Sequence, residues 1–378
     1  MKNPIKQFAK FTDESDKVDP YHLVIVSHND PHDPNKTGPL LMESAKKMKL
    51  KYDAVDFQGA YLSGEPGKRY LHTFPVDNQG QVPKPDAKDV NEYADPIPLD
   101  PDNSLIMMRG LHLPGVTGNQ AWLDMAKTLE YEGYTLINST DCHLNCSSKW
   151  YNQILFERHG LRTPKTVIVP HKEGARETFE KMEVDFPIIL KTSNGSRGVG
   201  VVWIESLKSL EAIVQLLYRE NEVIDIILQE YIKIKYDVRV IVAEGSIVGA
   251  MKRPVPKDDF RSNVAQGSEP ISHYLELTDL ERSESIKAAR AVGGSVTGVD
   301  FMPSEDRELE SPYFIEVNST PGLVGIEEAE KTRTSVTQDI LKKYFNRTKW
   351  TNHSDFPDKT YLGKTKYDVK NDQGQKIK

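Results

Sequence analysis

Three groups of residues in this sequence have types and spacings suited to chemistry on phosphate. The first is Lys191 followed by Thr–Ser–Asn–Gly–Ser–Arg–Gly–Val–Gly200, a glycine-rich run between two apolar stretches. Glycines let backbone amides approach phosphate oxygens without Cβ clashes, and a lysine just ahead can set its ammonium on the same oxygens. Taken alone, the run also reads as an ordinary hairpin turn. It is not a Walker A loop, because no Gly-Lys-Ser or Gly-Lys-Thr follows and no helix opens from it. The second group is Asp300, Glu316 and Asn318. Glu316 and Asn318 stand two apart in an apolar strand and share a face. Hard oxygen donors of this kind suit Mg²⁺ bridging nucleotide phosphates; Glu316 alone would equally fit a solvent-facing strand edge. The third group is basic: Arg239, two residues after Asp237, then Lys252, Arg253 and Arg261, with Asp258 and Asp259 between. Cations beside a phosphate–metal site neutralise charge that develops in phosphoryl transfer. An isolated run of this type reads as a solvated loop.

Alternating strands and helices must position these groups. Leu23–Ser27, a helix from Pro39 to about Leu50 and a strand at Tyr52–Phe57 follow the βαβ pattern of an open parallel sheet. Residues 58–103 break that rhythm with Pro75, Pro83, Pro85, Pro96, Pro98 and Pro101 in a polar stretch, which reads as an extended, structureless insertion or arm. The strand Leu105–Met108 ends at Arg109–Gly110. A helix from Asn119 to Glu132 stops at Gly133, and Leu136–Asn138 is a short strand. Ser148 to His159 is a helix closed by Gly160. Strands then fall at 166–169, 187–192, 201–204, 225–231, 238–242, 247–251, 298–302 and 313–318, with helices at 176–182, 207–218 and 283–293. The chain thus reads as α/β in its first part and α+β after it. Residues 1–20 and 348–378 read as flexible tails.

Composition excludes several classes. The 378 residues are 38% hydrophobic and 28% charged, enough for two or three domains. Lys and Arg number 49 against 56 Asp and Glu, a net charge of −7 that argues against general nucleic-acid binding. Two cysteines exclude a disulfide framework and point to a reducing compartment. No apolar run reaches the ~20 residues of a membrane helix, and the first twenty residues lack the apolar core of a secretory signal. The expectation is a cytoplasmic protein with no membrane partner.

The order of the chemical groups resembles the ATP-grasp fold, specifically the RimK-like carboxylate–amine (alpha-L-glutamate type) ligases. The resemblance is carried by Lys191 with NGSRGVGV, Gln229–Glu–Tyr–Ile232, Asp237–Val–Arg239, Gly249–Ala–Met–Lys–Arg253, Asp259–Phe–Arg–Ser–Asn263, Gly298–Val–Asp300 and Glu316–Val–Asn–Ser–Thr–Pro–Gly–Leu323. It covers roughly residues 140–345. It implies an N-terminal open α/β domain over 21–147, containing the 58–103 insertion. Two ATP-grasp subdomains would follow at 148–226 and 227–347, closing on ATP. Lys149 and Lys191 would meet the α- and β-phosphates. The loop residues Gly195, Ser196, Arg197 and Gly198 would cover the β/γ-phosphates. Gln229, Glu230, Tyr231 and Ile232 would form the adenine hinge, with Asp237 at the ribose and Arg239 in the same cofactor site. Arg261, Ser262 and Asn263 would sit near the triphosphate and the acceptor carboxylate. Asp300, Glu316 and Asn318 would hold two Mg²⁺ ions, for which Mn²⁺ could substitute. Arg253, Arg261 and Asn263 would be catalytic, and Arg253 and Asn318 would contact substrate; outside the resemblance, Arg109 ends an apolar strand on the expected ligand edge of the open sheet and reads as a substrate-carboxylate contact. The acidic balance then conceals a cationic pocket of Lys149, Lys191, Arg239, Lys252, Arg253 and Arg261.

The implied reaction passes through an acyl phosphate. A substrate carboxylate takes the γ-phosphoryl group, and an amine then expels phosphate to give an amide or peptide bond. The carboxylate and amine partners would be an amino acid with a peptide, protein or small-molecule carboxylate; glutamate addition is the family's best-known activity. The family also implies a homo-oligomer. Two departures stand out. Val264–Ala–Gln–Gly–Ser268 replaces the basic residue and paired glycines that usually follow DFRSN, and the N-terminal region is longer than usual. A non-catalytic ATP-binding regulator and a small-molecule kinase are the competing readings.

Other groups are weaker. Asp141 with Cys142–His–Leu–Asn–Cys146 lacks a second ligand pair for structural Zn²⁺ and reads as a loop near nucleotide or substrate. His28, Asp30, His32 and Asp33 follow the first strand, where open α/β sheets place their ligand crevice, but also read as a solvated turn. Trp122, Trp150 and Trp203 read as packing.

Overall fold

The computed structural model describes residues 22–27, 37–56, 60–74, 94–109, 120–192, 200–220, 224–256 and 269–345. The two expected tails, the loop 193–199, the segment 257–268 and His28, Asp30, His32 and Asp33 lie outside them. The described residues up to 109, with 121–137, form one compact unit, and 138–345 form a second. Among the described residues no helix is long and apolar enough to cross a membrane.

The first unit runs β1 (His22–Ser27), α1 (Thr37–Lys47), β2 (Lys51–Asp56), β3 (Tyr61–Glu65), β4 (Lys68–His72), β5 (Ile97–Leu99), β6 (Ser104–Met108), α2 (Gln120–Tyr131) and β7 (Thr135–Ile137). Its main sheet has the order β2-β1-β6-β7, all parallel. β1 and β6 are buried along their whole length, as strands covered on both faces must be. The Pro-rich segment differs from the structureless stretch expected. β3, β4 and β5 form a separate antiparallel sheet. A Pro66–Gly67 turn, with Gly67 at φ +80°, folds β3 back on β4. Pro98 sits in the edge strand β5, where its missing N–H is tolerated. Arg69 of β4 donates through Nε to Glu132 beyond α2 at 2.9 Å, and its backbone N–H donates to the Tyr134 hydroxyl at 3.1 Å. Strands this short and polar give little periodic signal, which is why the hairpin is hidden in the sequence.

The second unit continues with α3 (Thr140–Ser147), α4 (Lys149–Arg158), β8 (Thr166–Val169), α5 (Ala175–Met182), β9 (Ile188–Thr192), β10 (Val201–Ile204), α6 (Leu207–Glu220) and β11 (Ile226–Glu230). Then come β12 (Tyr236–Ala243), β13 (Ser246–Pro254), β14 (Ile271–Ser272), α7 (Asp279–Ala291), β15 (Val296–Met302), β16 (Tyr313–Asn318), α8 (Val324–Glu330) and α9 (Val336–Phe345). The Cys142–Cys146 segment is helix α3 rather than the loop expected: Ser139 caps it, its side chain accepting from the Cys142 N–H. α7 begins earlier than Ser283 because Thr278 and Glu281 form a capping box.

Two antiparallel sheets organise this unit, each apolar on one face and polar on the other. In the order β10-β9-β11-β8, Ile188, Leu190, Ile226, Leu228 and Ile204 pack against Met182 of α5 and Leu210 and Val214 of α6. The register puts Trp203, Lys191, Gln229 and Thr166 on the opposite face. Gly200, just before β10, has φ +78°, and a Cβ there would stand 2.3 Å from Thr192 Oγ1. In the order β14-β13-β12-β15-β16, Val238, Val240, Val299, Phe301, Phe314 and Val317 face Phe156 of α4, Ala288 of α7 and Val292, which caps α7. The Phe314 ring centroid lies 6.0 Å from that of Phe156 and 5.8 Å from that of Phe301. Phe314→Ala should cost about 3–5 kcal/mol, read as a lower midpoint in urea unfolding with an unchanged slope.

Candidate functional site

The polar face of the five-stranded sheet carries a continuous row of charge. Asp237 and Arg239 of β12 stand two apart, so both project from one face. Register places Arg253 of β13 opposite Asp237, Asp300 of β15 opposite Arg239, and Glu316 of β16 opposite Asp300. Arg239 donates through Nε and Nη2 to the two Asp300 oxygens at 2.7 and 2.6 Å. Arg253 does the same to Asp237 at 2.7 and 2.6 Å, and its Nη2 also lies 3.1 Å from Asp300 Oδ2. Asp237, Arg253 and Asp300 are each no more than 3% exposed. Burial would raise the Asp300 carboxyl, but the Arg239 and Arg253 guanidiniums hold it below the usual carboxylate range. Burial would lower Arg253, and Asp300 and Asp237 more than reverse that.

Three of the expected site residues pair within the protein. Asp237, expected at the ribose, has its carboxylate sealed against Arg253. Arg253, expected to touch substrate, is 2% exposed and lies between the Asp237 and Asp300 carboxylates. Lys252, expected in the same cationic pocket, leaves β13 on the other face, as strand alternation requires, and binds Glu276 at 2.9 Å.

Two lysines approach Glu316 from other elements. Lys149 is the first residue of α4, behind the N-cap Ser148. A cation there opposes the helix dipole, so this placement does not serve helix stability. Burial lowers its pKa, and the charge of Glu316 resists that shift. Lys191, the last but one residue of β9, is half-buried as a residue, but its ammonium is hemmed in by protein. Burial pushes it down to about 8, with Glu316 resisting and Lys149 adding to the shift. Lys191 Nζ donates to Gln229 Oε1 at 2.5 Å, and Gln229 Nε2 donates to Thr166 Oγ1 at 2.9 Å. Thr166 spends its own hydroxyl proton on the Pro164 carbonyl, at 2.8 Å. The Gln229 amide therefore must turn its oxygen to the lysine. Beyond Gln229, the Glu230 carboxylate accepts from the Lys165 backbone N–H at 3.0 Å. Tyr231 meets Trp203 edge-on at 4.6 Å, and Ile232 is half-buried.

Among the described residues no three His, Cys, Asp or Glu side chains converge on a metal position. The hard donors are the Asp300–Glu316 pair and the Asn318 amide, whose Nδ2 donates to Glu316 Oε1 at 3.2 Å. The carboxylate of Asp300 has about four lone-pair positions, and the two arginines occupy three of them. One carboxylate position remains, beside a second carboxylate and an amide oxygen. This set fits a hard divalent cation that completes its shell with phosphate oxygens and water.

Gly195, Ser196, Arg197 and Gly198 lie outside the described residues, as do Arg261, Ser262 and Asn263. Arg109 belongs to the first unit, where it follows β6 and donates its backbone N–H to Val26 O at 2.7 Å. It is 7% exposed, and burial lowers its guanidinium to about 10. Cys142 and Cys146 are both free thiols. Trp122 is core, while Trp150 and Trp203 are half-buried. Sequence reasoning missed Thr166, Asn152 and Gln153. The available signal was a pair of amides, Asn152 and Gln153, on the face of α4 that also buries Leu155 and Phe156.

Two outcomes follow from these charges. Burial lowers the Lys191 ammonium to about 8, so affinity for a triphosphate should fall as pH rises past about 8. The dissociation constant should grow about tenfold per pH unit beyond that point, read by calorimetric titration with a non-hydrolysable nucleotide. Arg253→Leu removes the cation between two buried carboxylates and should cost about 3–5 kcal/mol in urea unfolding. In the wild type, the Asp300 contribution is complete above the ordinary carboxyl pKa of 3.8 and is lost as pH falls through the lowered folded value.

A RimK-like ATP-grasp domain model matches residues 146–343. The "Probable alpha-L-glutamate ligase" of Parasynechococcus marenigrum (strain WH8102) is 32% identical over 243 residues, 61% of this chain. The chain spans half the length of that relative. Among solved structures, the ATP-grasp ligase PsnB with minimal precursor, Mg and ADP superposes with a TM-score of 0.58 at 18% identity, covering 86% of this chain and 98% of PsnB. The D-alanine–D-alanine ligase of Bacillus anthracis with ATP gives 0.56 at 16% identity, covering 85% and 96%. The domain match takes in Lys149, Lys191 and the whole charged row, and the chain belongs to the RimK-like ATP-grasp family.

Proposed function

We propose that this chain is an ATP-dependent ligase that joins a carboxylate to an amine through an acyl phosphate. The observation that carries the reading is the approach of Lys149 and Lys191, from a helix and from a different sheet, to Glu316 in the row that holds Asp300. Two cations and two carboxylates within one another's field suit a polyanion bound together with a divalent cation. The relatives named as glutamate ligases and the ADP- and Mg-bound fold neighbour support it.

In this reading Lys149 and Lys191 take the α- and β-phosphates, and Gly195–Gly198 cover the β/γ-phosphates. Gln229 to Ile232 line the adenine, with Trp203 standing against Tyr231. Asp300, Glu316 and Asn318 hold Mg²⁺, as two ions, with Mn²⁺ able to replace it. The metal supplies Lewis-acid neutralisation of the phosphates. Arg239 and Arg253 keep Asp300 ionised and fixed in direction, and Arg253 works from behind it rather than on the substrate. Arg261 and Asn263 meet the acceptor carboxylate. The carboxylate oxygen attacks the γ-phosphorus and ADP leaves. The amine nitrogen then attacks the acyl carbon, loses a proton and expels phosphate. The amine substrate is an amino acid, glutamate by family kinship, and the acceptor is a peptide, protein or small-molecule carboxylate. The working form is a homo-oligomer in the cytoplasm.

ADP release measured across paired amino acids and peptide carboxylates tests this. Release that requires both partners, with an amide product by mass spectrometry, is expected. Phosphorylated substrate formed without an amine would make the chain a kinase. Tight ATP binding with no turnover would make it a regulator. Glu316→Ala should lower turnover at least ~10²-fold by removing a metal ligand while leaving the fold intact by circular dichroism; normal activity would remove the metal assignment.

A further inference from the structure

β16 is an edge strand, and Glu316 lies in it. An edge strand leaves alternate backbone groups without a partner strand, and buried groups of this kind need a substitute. Here α4 provides it. Gln153 Nε2 donates to the Ile315 carbonyl at 2.7 Å, and the Val317 N–H donates to Asn152 Oδ1 at 2.7 Å. The two amides bracket Glu316, one residue to either side. The bracket falls where the β15–β16 register shifts, between Asp300 and Phe301. Bulges re-aim side chains, and the carbonyl that Gln153 holds belongs to the extra residue here, Ile315.

One of these buried amides costs the fold something. Asn152 and Gln153 are each 1% exposed on a helix face otherwise made of Leu155 and Phe156. Asn152 is saturated, its Nδ2 donating to Asn145 O at 2.7 Å and Ser148 O at 3.3 Å. Gln153 Oε1 is buried with no hydrogen-bond partner, a state that costs about 1–3 kcal/mol. A methionine would pack there without that cost. Polar groups that break a local rule point to a site they serve. The same helix begins with Lys149, so one rigid element sets both the phosphate lysine and the strand of the metal ligand.

We propose that Asn152 and Gln153 are positioning residues that lock Glu316, through the β16 backbone, in the orientation a divalent cation needs. The proposal rests on the metal–nucleotide reading of this site. Outer partners of metal ligands typically govern about 10- to 100-fold of affinity.

The test is Mn²⁺ binding, followed by electron paramagnetic resonance, to the full chain with saturating adenylyl imidodiphosphate. Metal-free affinity for the same analogue is measured in parallel, with circular dichroism and thermal melting on every variant. Gln153→Met and Asn152→Leu should weaken Mn²⁺ about 10- to 100-fold and leave metal-free nucleotide affinity within about twofold. Gln153→Glu keeps the shape, opposes the Ile315 carbonyl and should shift Mn²⁺ in the same direction, so it serves as the second probe of the same contact. Wild-type Mn²⁺ affinity in folded variants would overturn the proposal. So would an equal loss of metal-free nucleotide binding, which marks a general structural role. A wild-type chain that binds no Mn²⁺ with the analogue would overturn the functional reading itself, a result distinct from either.

Discussion

Asp300 is a carboxylate enclosed by protein, and everything around it serves to keep it charged. Desolvation alone would protonate it. Two guanidiniums prevent this, and one of them, Arg253, is in turn held by Asp237. The chain of charges is possible only because three antiparallel strands place these residues side by side on one face. The same alternation sends Val238, Val240, Val299 and Phe301 to the other face, against α4 and α7. The pairing that builds the core and the pairing that builds the ionic row are thus one set of backbone hydrogen bonds. Neither can slip by a residue without inverting the other.

The four-stranded sheet repeats the arrangement with a different outcome. Its polar face has few charges, and Lys191 is held by a neutral chain of Gln229, Thr166 and the Pro164 carbonyl. A neutral partner leaves the ammonium easier to deprotonate than a carboxylate would, and leaves its positive charge uncancelled for an anion. Arg239 and Arg253, by contrast, are spent on carboxylates. The two sheets therefore divide the work: one stores charge in pairs, and the other presents it.

Most strands, and the residues on their polar faces, could be read from sequence because period-two alternation is a local property. Lys191, Asp300, Glu316 and Asn318 were legible for that reason, and the order of motifs gave the family. What sequence did not disclose was which charges cancel. Asp237 and Arg253 are sixteen residues apart along the chain, and only the register of β12 against β13 makes them partners. Lys252 and Arg253 look alike in sequence, yet one residue of strand sends them to opposite faces. The β3–β4–β5 sheet was missed because its strands are short, its turn is Pro–Gly, and its third strand contains a proline. Helix α3 was missed because Thr–Asp–Cys–His–Leu–Asn–Cys–Ser carries no apolar stripe, and its cap at Ser139 decides it.

The amide-covered margin of β16 has one more consequence. An exposed strand edge is a common way for a sheet to capture an extended peptide, backbone to backbone. Along β16 the Phe314 N–H is taken by the Arg162 carbonyl, the Ile315 carbonyl by Gln153, the Val317 N–H by Asn152 and the Ser319 carbonyl by Asn138. The strand that bears Glu316 and Asn318 is closed to augmentation. An extended partner reaching these residues has to be recognised there through its side chains, or pair its backbone along a different edge.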